Sequence, residues 1–124
     1  MKAILFVDDH EVLGRTSCEI LQMHGYRAER VNSARAALAR LEHEWFDVVV
    51  TDYRMEEMDG VELAKRLRAL SPRVPVIIIS GSASPEPCEA VSAWVEKQDM
   101  FPALLDAIRQ LLNDTGVGER KRSA

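Results

Sequence analysis

Ala3-Ile4-Leu5-Phe6-Val7-Asp8-Asp9 is five apolar residues closed by two acids. A short apolar run with no polar alternation reads as a strand covered on both faces. The same form recurs along the chain. Phe46 to Thr51 delivers Asp52, Val76-Ile77-Ile78-Ile79 delivers Ser80, and Ala93-Trp94-Val95-Glu96 delivers Lys97. Between these runs lies helical periodicity. Positions 11–24 carry Val12/Leu13, Thr16/Ser17 and Ile20/Leu21 on one face and stop at Gly25. Tyr26 to Val31 alternates as a second strand, and Asn32 or Ser33 is placed to cap an alanine-rich helix over 34–44. Ala37, Leu38 and Leu41 would face inward from it. A helix over 61–70 with Val61, Leu63, Ala64 and Leu67 inward breaks at Ser71-Pro72-Arg73, and a strand over 75–80 follows. The remainder reads as a fragment near 86–91, a strand near 92–96 and a helix from about 100 to 113.

Strands alternating with helices imply right-handed crossovers and a mostly parallel sheet. Five such repeats predict an α/β, flavodoxin-like, doubly wound sheet in the order 2-1-3-4-5, whose ligand crevice lies beyond the carboxyl ends of the strands. At that edge the chain gathers Asp8, Asp9, Asp52, Ser80 and Lys97. Carboxylates, a hydroxyl and an ammonium together can hold a hard cation and an anionic oxyacid. The fourth crossover is the weak repeat. Only 16 residues separate Ser80 from Lys97, and Ser82-Ala83-Ser84-Pro85-Glu86-Pro87 is poor helix material. The fourth helix is therefore predicted to be short, distorted or missing.

With 124 residues, 47% hydrophobic and 29% charged, the chain has the size and balance of one globular domain. A net charge of -4 argues against direct nucleic-acid binding. No apolar stretch is long enough to cross a bilayer, and Met1-Lys2 leads straight into a strand, so neither membrane attachment nor a signal peptide is expected. Cys18 and Cys88 are isolated thiols, which fits a reducing, cytoplasmic setting. Periodicity ends near residue 113. Residues 1–113 are expected to form the domain, and 114–124, with Arg120-Lys121-Arg122, a flexible tail or linker stub.

Over nearly all of residues 2–113 the chain resembles the receiver domain of two-component response regulators, the CheY-like superfamily. The matching pieces are Phe6-Val7-Asp8-Asp9, Leu21…Gly25-Tyr26, Asp47…Asp52-Tyr53-Arg54-Met55, Met58-Asp59-Gly60, Pro75…Ser80 and Lys97. The resemblance implies that Asp52 is the phosphoacceptor, that Asp8, Asp9 and Asp52 hold Mg2+ (Mn2+ could substitute) with the backbone carbonyl of Arg54, and that Ser80 and Lys97 contact the phosphoryl group. It makes Ser80 a switch hydroxyl and Trp94 a switch aromatic. It implies a domain that phosphorylates itself from a histidine kinase or histidine phosphotransfer protein, slowly removes the phosphoryl group, and signals to a further protein, with a homodimer possible. A degenerate receiver, acting as a phosphorylation-independent binding module, is the alternative.

Three departures bear on that resemblance. Gln98 stands where most receivers carry a proline after the lysine, so a trans bond and a rebuilt loop are expected, which puts the reach of Lys97 in question. Glu56 replaces the usual proline after the methionine. The short fourth crossover moves the expected signalling face to the first or last helix. Several residues have plainer readings. His10 reads as a solvent-facing helix start, Trp45 as peripheral, and Glu56-Glu57 as a solvated loop pair.

Overall fold

The structure, a computed structural model, describes residues 1–81 and 88–112. Its strands are β1 (Ala3–Val7), β2 (Arg27–Val31), β3 (Val48–Asp52), β4 (Val76–Ser80) and β5 (Ala93–Glu96). They form one parallel sheet in the order β2-β1-β3-β4-β5. The helices are α1 (Glu11–Met23), α2 (Ala34–Leu41), α3 (Gly60–Leu70) and α4 (Met100–Leu112). The doubly wound sheet expected from the sequence is present.

Alternation along the central strands explains the two layers. Leu5, Val7, Val49 and Ile78 pack with Ala37 and Leu41 of α2 and Leu63 and Leu67 of α3. Ile4, Phe6, Val50 and Ile77 point the other way, against Leu21 of α1 and Leu104 and Ile108 of α4. A strand buried on both sides needs apolar residues at both parities, which is why these segments carry no polar alternation.

Register then brings the strand ends together. Val7 pairs with Thr51, so the next residues, Asp8 and Asp52, emerge side by side. Asp52 pairs with Ile79 and Ser80 with Glu96, so Ser80 and then Lys97 follow in steps along the same edge. The polar residues are gathered by backbone pairing.

Local chemistry sets the element ends. Ser33, rather than Asn32, caps α2 by accepting the Ala36 N–H at 3.0 Å. Asp59 caps α3 by accepting the Glu62 N–H at 2.9 Å. α2 is shorter than the 34–44 expected. Glu42 and His43 donate to the Ala39 and Arg40 carbonyls, three residues back, and this tightening ends the helix. β3 starts at Val48 because Asp47 is committed as a clamp: its carboxylate accepts the Ala3 N–H at 2.7 Å and its own N–H donates to the Ala3 carbonyl at 2.8 Å. Trp45 is peripheral, 60% exposed.

The face of α1 matches the sequence reading at Ser17 and Leu21 and departs from it at Val12 and Leu13. Gly14, Ser17, Cys18 and Leu21 are buried, whereas Val12 and Leu13 stand 76% and 58% exposed. Small side chains at 14, 17 and 18 let the helix lie close to the sheet, which rotates the bulkier pair outward. In the fourth crossover, residues 88–92 form a turn closed by the Val91 N–H on the Cys88 carbonyl at 3.1 Å. Among the described residues no helix lies between β4 and β5. The rest of that crossover, residues 82–87, and the predicted tail, 114–124, fall outside the described residues. Among the described residues no helix is long and apolar enough to cross a membrane.

Candidate functional site

β1 and β3 deliver the acids. Asp8 and Asp52 are buried and Asp9 is exposed. One donor atom from each of Asp8, Asp9, His10 and Asp52 lies within 4.8 Å of the others. The Asp8 main chain is fixed from β2, its N–H donating to the Val31 carbonyl at 3.1 Å and its carbonyl accepting from Arg30 Nε at 3.2 Å. Asp8 Oδ1 also accepts the His10 N–H at 2.9 Å. His10 precedes α1 and is largely exposed, as read, but its ring is not idle: Nδ1 stands 3.4 Å from Asp8 Oδ1 and 3.3 Å from Asp9 Oδ1.

Lys97 supplies the opposing charge. Its Nζ stands 3.3 Å from Asp52 Oδ1, with half the lysine side chain exposed and the carboxylate buried. The loop beginning at Lys97 is rebuilt as a single 3-10 turn, Lys97–Asp99, that runs directly into α4. All peptide bonds among the described residues are trans, as expected at Gln98. The ammonium reaches the Asp52 carboxylate with Gln98, not a proline, after Lys97.

Burial raises the Asp52 carboxyl above its ordinary range, and Lys97 opposes this by charge and hydrogen bonding. The neighbouring charges of Asp8 and Asp9 push it up further. A buried carboxylate held among like charges gains from any added cation. The three carboxylates are hard oxygen donors, the set that magnesium prefers, and Arg54 lies alongside. The donor set fits a divalent ion.

Beside Asp52 opens a cavity of about 380 Å³, lined by Tyr53, Arg54, Ile79, Ser80, Gly81 and Lys97. That is room for a tetrahedral oxyanion and its waters. Ser80 is buried at its wall. Trp94 is half-buried and meets the edge of the Tyr53 ring, with centroids 5.7 Å apart and planes inclined at 68°. The residue after Asp52 therefore touches the aromatic on β5. The base of the β3–α3 loop is closed by the Gly60 N–H on the Tyr53 carbonyl at 2.8 Å. A Cβ at Gly60 would come within 2.8 Å of the Asp52 carbonyl, so only glycine lets α3 start this close. Glu56 is exposed, and Glu57 takes a left-handed φ of 70° in the same loop, its carboxylate 3.1 Å from Arg35.

Asp8, Asp9, Asp52, Ser80, Lys97 and Arg54 are thus brought to one edge, with Trp94 one contact away. Sequence reading missed Arg30, which looked like the polar member of an alternating strand, and the Tyr53–Trp94 contact. Gly14, a helix-interior glycine, was the available signal for the first; the second depends on the β3–β4–β5 register and had none.

The response regulator receiver domain family matches residues 4–99. The transcriptional regulatory protein ZraR of Escherichia coli (strain K12) is 40% identical over 87 residues, 67% of this chain and 19% of that protein. The chain therefore spans about a fifth of the length of that relative. The response regulator receiver protein CpdR of Brucella abortus (strain 2308) is 34% identical over 84 residues, 68% of this chain and 70% of that protein. Among solved structures, the response regulator TrrA of Thermotoga maritima in complex with Mg(2+)-BeF aligns at a TM-score of 0.83 and 27% identity, covering 90% of this chain and all of that one. The chemotaxis protein CheY4 of Vibrio cholerae aligns at 0.82 and 28%, covering 90% of this chain and 99% of that one.

Proposed function

Since the chain belongs to the response regulator receiver domain family and is a phosphoacceptor receiver by that membership, we propose that Asp52 is the residue that takes the phosphoryl group. The donor is a phosphohistidine on a histidine kinase or a phosphotransfer protein in the cytoplasm. An Asp52 oxygen attacks the phosphorus, the P–N bond breaks, and the imidazole leaves with its electron pair. Lys97, 3.3 Å from that carboxylate, is the observation that carries the assignment, because it can follow the charge from carboxylate to phosphoryl oxygen.

Mg2+ would be held by Asp8, Asp9 and Asp52 with the Arg54 carbonyl, as the Mg(2+)-BeF complex of TrrA makes reasonable by analogy, and Mn2+ could replace it. Bound there, the ion would offset the clustered negative charge. The chain's own residues do the rest. Ser80 and Lys97 donate to the phosphoryl oxygens. Movement of Ser80 toward Asp52 leaves space into which Trp94 turns, a population shift between two packings set off by a local charge. Because Pro85 and Pro87 make the fourth crossover poor helix material, the changed surface is read by a partner through α1 or α4.

Intact mass after incubation with Mg2+ and acetyl phosphate tests this. A phosphate-sized, Mg2+-dependent gain is expected, and Asp52→Ala should abolish it. A folded protein with no gain would favour the binding-module alternative.

A further inference from the structure

Gly14 lies within α1 and is buried, although glycine is disfavoured in helix interiors. A Cβ there would come within 2.7 Å of both Cδ and Nε of Arg30, and 3.4 Å of the Asp8 Cβ. The glycine leaves a channel through which the Arg30 side chain passes from β2 to the end of β1. Its Nε then donates to the Asp8 carbonyl at 3.2 Å.

We propose that Arg30 is a positioning residue for the Asp8–Asp9 pair, and that Gly14 is there to let it through. The Asp8 carbonyl and the Asp9 amide belong to one planar peptide unit. Holding the carbonyl therefore fixes the direction in which the chain leaves toward Asp9. The Asp8 N–H is already tied to the Val31 carbonyl at 3.1 Å, so β2 grips the residue on both sides. A strand that offers no ligand of its own thereby aims two of the acids. This inference rests on the reading that Asp8 and Asp9 hold a divalent ion.

The neighbouring groups make the idea separable from stability. At Gly14, alanine would meet the far half of a flexible side chain rather than backbone, so the arginine can swing away at little cost. Gly14→Ala should leave the metal-free unfolding temperature unchanged or raised, because alanine is the better helix former. The same substitution keeps the Arg30 charge nearby while taking its hydrogen bond away.

The experiment is calorimetric titration of Mg2+ into the wild type, Gly14→Ala, Arg30→Ala, Arg30→Lys and the Gly14→Ala/Arg30→Ala double variant, with metal-free thermal unfolding of each. Gly14→Ala and Arg30→Ala are each expected to weaken Mg2+ binding about three- to tenfold, the scale of one lost hydrogen bond. The double variant should be no weaker than Arg30→Ala alone, and Arg30→Lys should recover part of the affinity. Unchanged affinity in Gly14→Ala, or additive losses in the double variant, overturns the proposal, and so does tighter binding in Arg30→Ala, the direction that losing a nearby cation gives by charge alone. Normal binding by the wild type with unaffected variants sinks the positioning role alone. A wild type that binds no Mg2+ sinks both the role and the ion site it serves.

Discussion

On one flank of the sheet β1 and β2 pair over five residues, and β1 is buried at every position. On the other flank β5 is four residues long, only Val95 in it is buried, and the described part of the crossover into it is a turn. The acids Asp8 and Asp9 leave the tight flank, where β2 grips the main chain. Ser80 and Lys97 sit at or beside the loose one, together with Trp94. Under the proposed function, the acids that are set before any chemistry are on the rigid side, and the groups proposed to move afterwards are on the side with least packing to resist them.

The largest test of that contrast is a truncation on each flank. Phe6→Ala, at a fully buried position, should lower the unfolding free energy by about 3–5 kcal/mol, and Trp94→Ala, half-exposed, by less than half of that. Denaturant unfolding measures both, and equal losses would erase the distinction between the flanks.

Next is Lys97→Met, which should slow phosphorylation by acetyl phosphate about a hundredfold, the scale of removing one charge-stabilising donor. Its effect on the unfolding temperature should be small, since half the lysine side chain is in solvent and such pairs contribute little to stability. Mass spectrometry against time, beside a melting curve, separates the two effects. A large loss of stability would mean that the loose flank is held by this pair.

A smaller effect follows from the raised Asp52 carboxyl. A carboxyl whose folded value lies above its unfolded one is protonated more readily in the fold. Its contribution to stability is complete below the ordinary value of 3.8 and is lost as pH rises through the folded value. Metal-free Asp52→Asn should therefore melt higher than the wild type at pH 7. The gap should close as pH falls toward 3.8, and a gap that widens in acid would reverse the sign of the burial effect.

The mildest test compares the thiols. Burial pushes the Cys18 thiol up to about 11, and it sits on the buried face of α1 on the tight side. Cys88 is half-buried in the turn on the loose side. Iodoacetamide at pH 8 should label Cys88 well before Cys18, and peptide mapping over time reads the order. Simultaneous labelling would show that α1 opens as readily as the turn.

What the sequence disclosed follows the same division. The strands, their order and the acids at their ends were legible because each apolar run ends in a polar residue whose place is set by backbone register. The poor helix-forming character before β5 was legible in Pro85 and Pro87. The orientation of α1 was not. Val12 and Leu13 outweighed Gly14 and Cys18 on any hydrophobicity count, yet close approach to the sheet is decided by small side chains. The reach of Lys97 was also hidden, because the 3-10 turn that carries it into α4 has no pattern of its own. Arg30 was missed for a related reason: its contact crosses from β2 to the end of β1, and the helix-interior Gly14 was its one signal.

The edge contact between Tyr53 and Trp94 gives the protein an optical reporter of its own. The chain has two indoles, and the other, Trp45, is 60% exposed at the opposite end of β3. Trp45→Phe would leave a single emitter, seated beside the residue that follows Asp52. Its emission maximum and its energy transfer from Tyr53 would follow the rotation of one ring in unlabelled protein, in real time.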